Sequence, residues 1–261
     1  MKFLIVGDVC GRPGREAFRK YIPELRRKHS IDVVVVNGEN IAGGRGINRK
    51  TLDEIYSAGA DIITSGNHIW DQKEIVSFID NEPFLIRPAN YPEGAPGRGY
   101  CLYPFKAKTI GVINVSGRTF MPPMDCPFQK VDEILKKIRN RCDIILVDIH
   151  AEATSEKIAM GFYLDGKVTC VVGTHTHVQT ADNRLLPKGT AYISDLGMVG
   201  PYNSSLGINV NNAIEKFITC RPVRFEVADG PNVFSAVVLE TDDRTNKALS
   251  IERILFNEAA V

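Results

Sequence analysis

Residues 33–40 read VVVVNGEN. Four successive valines make a β-branched run that is apolar on both faces, the pattern of a strand covered on two sides rather than one lying at a surface. The run leads into Glu39 and Asn40. A buried carboxylate there must be paired or bound to a metal. The same ending recurs along the chain. FLIVGD brings Asp8 to the end of an apolar run, SGNH brings Asn67 and His68, IILVDIH closes on His150, and GTHTH carries His175 and His177. Of the five histidines, only His29, in a charged stretch, stands elsewhere. Open α/β sheets bind ligands at the carboxyl ends of their strands. Independent structural histidines would have no reason to share that position.

Outward from the valine run, strand and helix patterns alternate. Phe3–Gly7, Asp32–Val36 and Asp61–Thr64 read as strands, and Phe84–Ile86 as a further short one. Arg15–His29, Arg49–Ala58 and Lys73–Ile79 read as helices, with Phe18, Ile22 and Leu25 on one face of the first. This order predicts parallel strands with helices packed on the sheet. RPANYPEGAPGRG (87–99) and GRTFMPPMDCPF (117–128) hold too much Pro and Gly for regular structure. Around and beyond them the pattern predicts strands at Thr109–Val115, Asp143–Ile149, Val168–Val172, Thr190–Ser194, Arg221–Ala228, Val233–Glu240 and Leu249–Phe256. Helices are expected at Gln129–Asn140, Ala153–Leu164 and Ala213–Cys220. With no repeat and no low-complexity linker, residues 1–261 read as one domain of two packed sheets with outer helices.

Composition bounds the function. The 32 basic and 31 acidic residues nearly cancel, which leaves no electrostatic footprint for bulk nucleic-acid or membrane binding. A small anionic substrate stays compatible, because a metal site carries its own positive charge. The six cysteines are scattered, with no C-x-x-C pair, so neither a zinc knuckle nor a disulfide framework is expected. MKFLIVGD is too short an apolar run for a signal peptide and reads as a first strand. No stretch approaches the roughly 20 apolar residues of a membrane span. A soluble, cytoplasmic protein is expected.

The ligand types narrow the chemistry. Alternate residues of an extended segment point the same way, so His175 and His177 can face one site from a single strand end. Imidazole, carboxylate and amide together suit Fe, Mn, Zn or a similar ion. Glu39 could bridge two ions with its two oxygens; taken alone it reads better as a helix-cap or surface-loop acid. Asp8, just before a helix, could be an N-cap. Asn40 and Asn67 have turn-forming neighbours, and become ligand candidates through Glu39 and His68 beside them. Because adjacent residues point apart, His68 need not share an ion with Asn67, and a histidine so placed can donate a proton to a leaving group or orient a ligand. Asp148 is either a support for His150 or a pairing carboxylate. Arg45 and Arg118 are candidate phosphate contacts, and Tyr202 could stack on a base or simply pack. The P-loop pattern, G-x-G-x-x-G after a strand, and G-x-S-x-G are all absent.

These blocks resemble the calcineurin-like metallophosphoesterases, whose usual motifs are G-D-x-H, G-D-x-x-D, G-N-H-[ED], a lone His and G-H-x-H. Here they read GDVC, NGEN, GNHI, DIH and GTHTH, in the same order. The chain is more similar still to the YmdB branch. NGENIAGGRG, GNHIWD, RPANYPEG, GRTFMPP, HAEATSEK, VVGTHTHVQTADNRLLPKGTAYISDLGMVGPY and IERILFN carry that resemblance over nearly the whole length. Cys10 stands where most of the superfamily has a metal-binding His, and is expected to pack rather than ligate; Glu39 replaces the usual bridging Asp. The resemblance implies a four-layer α-β-β-α sandwich, two mixed sheets flanked by helices, around two transition-metal ions, often iron and sometimes manganese. It assigns Asp8, Glu39, Asn40 and His177 to one ion, and Glu39, Asn67, His150 and His175 to the other. It further implies phosphodiesterase activity, best towards 2′,3′-cyclic nucleotides, a regulatory part in bacterial multicellular behaviour, and a homo-oligomer.

The expected reaction is attack on phosphorus by a hydroxide generated between the two ions, with His68 protonating the departing ribose oxygen. The metals sense only phosphate, so a phosphomonoesterase or an RNA-end nuclease is the alternative enzyme. A ligand-sensing regulator with slow turnover is the alternative of another class.

Overall fold

The computed structural model describes residues 1–260. The first strand, Lys2–Val9 (β1), sets the layering by alternation. Its Phe3 and Ile5 enter one apolar core while Leu4 and Val6 enter another. After the helix Gly11–His29 (α1), the valine run forms Val33–Asn37 (β2), buried at every position. Val33 and Val35 join the first core, and Val34 and Val36 the second. The side-chain period of two therefore requires a layer on each side of this sheet.

The helix Arg49–Ser57 (α2) follows, held at its start by a capping box. The Asn48 side chain accepts from the Thr51 backbone while the Thr51 hydroxyl accepts from the Asn48 backbone. Ile62–Thr64 (β3) completes a parallel trio with β1 and β2. The second sheet is built from Tyr100–Phe105 (β4), Lys108–Ser116 (β5), Ile144–His150 (β6), Cys170–Thr174 (β7), Arg184–Leu185 (β8) and Ala191–Ile193 (β9). Two helices, Pro127–Ile138 (α3) and Thr154–Leu164 (α4), alternate with these strands. The chain then returns to the first sheet through Met198–Pro201 (β10), the helix Val210–Thr219 (α5), Asn232–Thr241 (β11) and Ala248–Asn257 (β12).

Each sheet has six strands, ordered β12-β11-β10-β1-β2-β3 and β4-β5-β6-β7-β9-β8. Both are mixed. In the first, β11 runs antiparallel to β1 along Lys2–Val6, and short β10 pairs parallel with β1 at Asp8 and Val9. In the second, β5, β6, β7 and β9 are parallel, with β4 and β8 antiparallel at the edges. Three apolar clusters fill the three gaps of the four-layer α-β-β-α sandwich. α1 and α2 pack Phe18, Ile22, Leu52 and Ile55 on the first sheet. Phe3, Val35, Val112, Leu146 and Val172 meet between the sheets. α3 and α4 pack Val131, Ile134, Leu135, Met160 and Leu164 on the second.

Three expected elements differ. Lys73–Ile79 is not an α-helix but two 3-10 turns, Lys73–Ser77 and Ile79–Asn81, too short a run before Pro83 to close successive α-helical bonds. Phe84–Ile86, bracketed by Pro83 and Pro88, makes only single bridges, Ile63 to Leu85 and Ile86 to Arg98. Arg221–Ala228 is not a strand. One bridge, Val227 to Ile208, is all that it forms, because its Arg and Glu side chains stay exposed and Pro222 removes a donor. Conversely, β4, β8 and β10 lie where no strand was expected. Among the described residues no helix is long and apolar enough to cross a membrane.

Candidate metal centre

Register brings the strand ends together. On the first sheet Asp8 pairs with Asn37 and Asn37 with Thr64; on the second Ser116 pairs with His150 and His150 with Thr174. The loops leaving these ends carry Glu39, Asn40, Asn67, His68, His175 and His177. Two overlapping groups result, Asp8–Glu39–His177 and Glu39–His150–His175, with the ligand atoms of each within 4.8 Å of one another. Glu39 belongs to both.

His150 is the pivot. Its Nε2 lies 3.2 Å from Glu39 Oε1, 3.0 Å from Asn67 Oδ1 and 3.0 Å from His175 Nδ1. Its Nδ1 lies 3.0 Å from the Thr174 hydroxyl, which itself donates to Asp148 Oδ1 at 2.8 Å. Thr174 therefore accepts from His150 Nδ1–H, and the Nε2 lone pair turns inward. Asp148 also accepts from the Thr64 hydroxyl at 2.5 Å and Asn37 Nδ2 at 3.4 Å, so it supports His150 through Thr174, one of the two roles open to it. His177 is oriented likewise: Nδ1 donates to the Leu206 carbonyl at 3.0 Å, leaving Nε2 3.8 Å from Asp8 Oδ1. His175 is turned the other way, with Nε2 3.1 Å from Glu152 and Nδ1 facing His150.

The route by which the two histidines converge differs from the extended strand end expected. β7 stops at Thr174, and His175 and His177 adopt φ values of 102° and 63°. Non-glycine residues pay for this left-handed backbone in strain, which persists only where the surroundings over-determine it. A turn, not an extended strand, aims both rings inward.

The donor set fits cations. Asp8 Oδ1 and Asn40 Oδ1 are buried without a hydrogen-bond partner, although Asp8 Oδ2 accepts from the His175 backbone at 3.3 Å and Asn40 Nδ2 donates to the Gly44 carbonyl at 3.0 Å. Around His150 Nε2, three further lone-pair atoms converge, and one proton cannot satisfy them all. Asp8, Glu39 and Asp148 are all buried carboxylates with His150 as their shared counter-charge, an excess of negative charge that burial would otherwise penalise heavily. Gly66 lines the same space; a Cβ there would sit 2.3 Å from both Glu39 Oε2 and His150 Nε2.

Titration follows these contacts. Burial pushes Asp8 well up, His150 opposing and Asp195, Glu39 and Asp148 adding to the rise. Burial opposes charge on Glu39 too, but the imidazolium and hydrogen bond of His150, then His68, outweigh it and lower Glu39 to about 2. His150 is the converse: burial would lower it, while Glu39, Asp8 and Asp148 hold it at about 9. Burial, then His150, lowers His175 to about 3, and burial lowers His177.

His68 lies beside the two groups. Its backbone N–H donates to Glu39 Oε2 at 3.1 Å, and its half-buried ring sets Nδ1 2.9 Å from Asp71 Oδ2, which leaves Nε2 as the free nitrogen. Cys10 is buried outside both groups, its thiol pushed up to about 12 by burial and then by Asp8 and Glu39, and it packs against Gly200 and Gly207. Arg45 and Arg118 are exposed, as is much of Tyr202. Sequence reading missed Thr174, Gly66 and Glu152. It also missed the buried pair Lys157–Asp195, whose members lie 38 residues apart and carry no local signature.

Comparison with known proteins places the chain in a family. The profile described as YmdB-like protein matches residues 4–254. A Bacillus subtilis protein named 2′,3′-cyclic-nucleotide 2′-phosphodiesterase is 52% identical, over 99% of this chain and 98% of its own. Two crystal structures superpose with a TM-score of 0.94. One is a hypothetical protein from Thermus thermophilus, 39% identical over 99% of this chain and 100% of its own. The other is a Mycoplasma pneumoniae protein described as a novel phosphatase, 37% identical over 99% of this chain and 94% of its own. With its motifs in order, its ligand atoms clustered and near-complete coverage of these relatives, this chain belongs to the YmdB-like protein family.

Proposed function

We propose that the protein is a di-metal phosphodiesterase acting on cyclic nucleotides, 2′,3′-cyclic ones foremost. The observation that carries the metal part is the pair of ligand groups sharing Glu39, with unpartnered buried oxygens on Asp8 and Asn40. The name of the Bacillus subtilis relative supports the substrate. Asp8, Glu39, Asn40 and His177 would hold one ion, and Glu39, Asn67, His150 and His175 the other, iron or manganese suiting this mixed donor set. Bound there, the ions supply Lewis acidity to the phosphate oxygens and a nucleophile at neutral pH.

The chain's own groups do the rest. Thr174 and Asp148 keep the proton of His150 on Nδ1, and Leu206 keeps that of His177 on Nδ1. Asp71 orients His68 so that its Nε2 can hand a proton to the departing ribose oxygen. The test is metal content by elemental analysis, followed by hydrolysis of 2′,3′-cAMP, 3′,5′-cAMP and bis(p-nitrophenyl) phosphate. Two ions per chain with preference for the 2′,3′-cyclic substrate is the expected result. Two ions with turnover of another phosphoester alone would keep the centre and discard the substrate; no metal after reconstitution would overturn both.

A further inference from the structure

Behind the metal centre lies a second buried charge pair that none of the roles above uses. Lys157, on α4, and Asp195, after β9, are each 1% exposed, with Nζ 2.6 Å from Oδ2. Lys157 has Asp195 as its side-chain hydrogen-bond partner. The same Oδ2 accepts twice from Thr176, from its backbone N–H at 3.1 Å and its hydroxyl at 2.7 Å. Thr176 is the residue between His175 and His177. The other oxygen, Oδ1, accepts from the Gly197 backbone at 2.8 Å, and the Gly197 carbonyl accepts from the Asp8 backbone at 3.0 Å. One carboxylate thus reaches ligands carried by both sheets.

Its backbone is fastened as well. Asp195 N–H donates to the Thr180 hydroxyl at 2.9 Å, and Thr180 N–H donates back to the Asp195 carbonyl at 3.1 Å. The turn holding both histidines is therefore laced to residues 195–197 along its length. That lacing accounts for two adjoining facts: two non-glycine residues at positive φ on either side of Thr176, and a lysine buried on α4. Strained backbone needs an anchor that outlasts thermal motion. A carboxylate accepting several bonds and neutralised by a buried ammonium is such an anchor. Lys157 fixes that carboxylate in place from the buried side.

We infer that Asp195, held by Lys157, is a positioning residue that clamps the His175–Thr176–His177 turn and, through Gly197, Asp8, so that both metal sites are preformed. This rests on the di-metal reading of the centre. The groups are not ligands themselves, and their effect should appear in metal binding rather than in the chemical step alone.

The experiment compares the wild type with Thr176→Val, Thr176→Ser, Asp195→Asn and Lys157→Met. Each is stripped of metal and titrated with Mn2+ by equilibrium dialysis, then with Co2+ read by its visible absorption. Thr176→Val, which removes one hydroxyl and leaves the buried pair intact, should bind Mn2+ about 10- to 100-fold more weakly and shift the Co2+ bands. Thr176→Ser should restore both. Asp195→Asn should show the larger loss; should it or Lys157→Met fail to fold, the Thr176 pair decides alone. Unchanged Mn2+ affinity and Co2+ spectrum in folded Thr176→Val overturn the clamp while wild-type binding leaves the centre standing. A wild type that binds neither ion overturns the centre, and the clamp with it.

Discussion

Glu39 Oε1 lies 3.2 Å from His150 Nε2, with both side chains buried, and the two residues come from different sheets. Their contact ties one half of the sandwich to the other. A cation there would bind the folded state and not the unfolded chain, and at a hundredfold excess over its dissociation constant would stabilise the fold by about 2.7 kcal/mol. Glu39→Gln keeps the shape and removes the shared charge. It should lower bound metal from two ions to fewer than one and turnover by about a thousandfold, with the unfolding midpoint no longer responding to added Mn2+. Elemental analysis and thermal melts check this; retention of two ions would remove Glu39 as the bridge.

His68 is approached differently, because its side chain belongs to neither ligand group. His68→Ala should reduce turnover of 2′,3′-cAMP by about 10²- to 10⁴-fold while metal content stays at the wild-type level. A substrate with a good leaving group, such as a p-nitrophenyl ester, needs less protonation and should lose less. Loss of metal in His68→Ala would make the ring structural, holding through Asp71 the loop whose backbone N–H donates to Glu39.

Gly66 gives a steric test. A Cβ at this position would come within 2.3 Å of Glu39 Oε2 and His150 Nε2, so Gly66→Ala must displace one of them. Crowding of this kind costs roughly 1–3 kcal/mol in a packed interior, which a fold of this size should survive. The expected result is a folded protein that fails to take up two ions; full metal loading with normal turnover would show that the loop can move aside freely.

Protonation of the stripped protein should destabilise it on one side and deprotonation on the other. His150 sits at about 9 when folded, burial lowering it but Glu39, Asp8 and Asp148 raising it more. A raised folded-state value contributes stability that is complete below the unfolded value, about 6.5, and is lost as pH rises through 9. His175, at about 3 through burial and then His150, refuses a proton that the unfolded chain accepts, so stability also falls as pH drops below about 6.5. Urea midpoints of chelator-treated protein should therefore peak near neutrality and decline by about pH 9. With Mn2+ present the alkaline decline should vanish, because ligands bind metal in their deprotonated form. A stripped protein that grows steadily more stable up to pH 9 would contradict the pairing of His150 with Glu39.

The convergence of these side chains was legible because they follow apolar runs, and a strand patterned on both faces specifies where its end must lie. Val33–Val36 fixed the buried sheet, and the position of Glu39 followed from it. The remainder is unreadable for a physical reason. The φ values of His175 and His177 are imposed by Asp195, about twenty residues along the chain, and nothing in GTHTH itself favours them over the extended form. Thr174 and Gly66 act through one hydroxyl and one missing methyl, features with no periodicity. The misread segments, Lys73–Ile79 and Arg221–Ala228, had suitable composition but flanking or internal prolines and no partner to pair with, and pairing is settled by tertiary structure.

The placement of β1 bears on how the chain can be made. Its Lys2–Val6 segment lies between β2 and β11, and the Met1 amine donates to the Thr241 carbonyl at 2.9 Å across 240 residues. During synthesis β1 must wait, with one edge bare, until the distant β11 has emerged. A nascent chain of this order holds an apolar strand open to wrong pairing throughout elongation, the situation in which chaperones are most needed. Sequences with non-local pairing of this kind fold slowly, and refolding yield from denaturant should therefore fall with protein concentration well before native stability is affected.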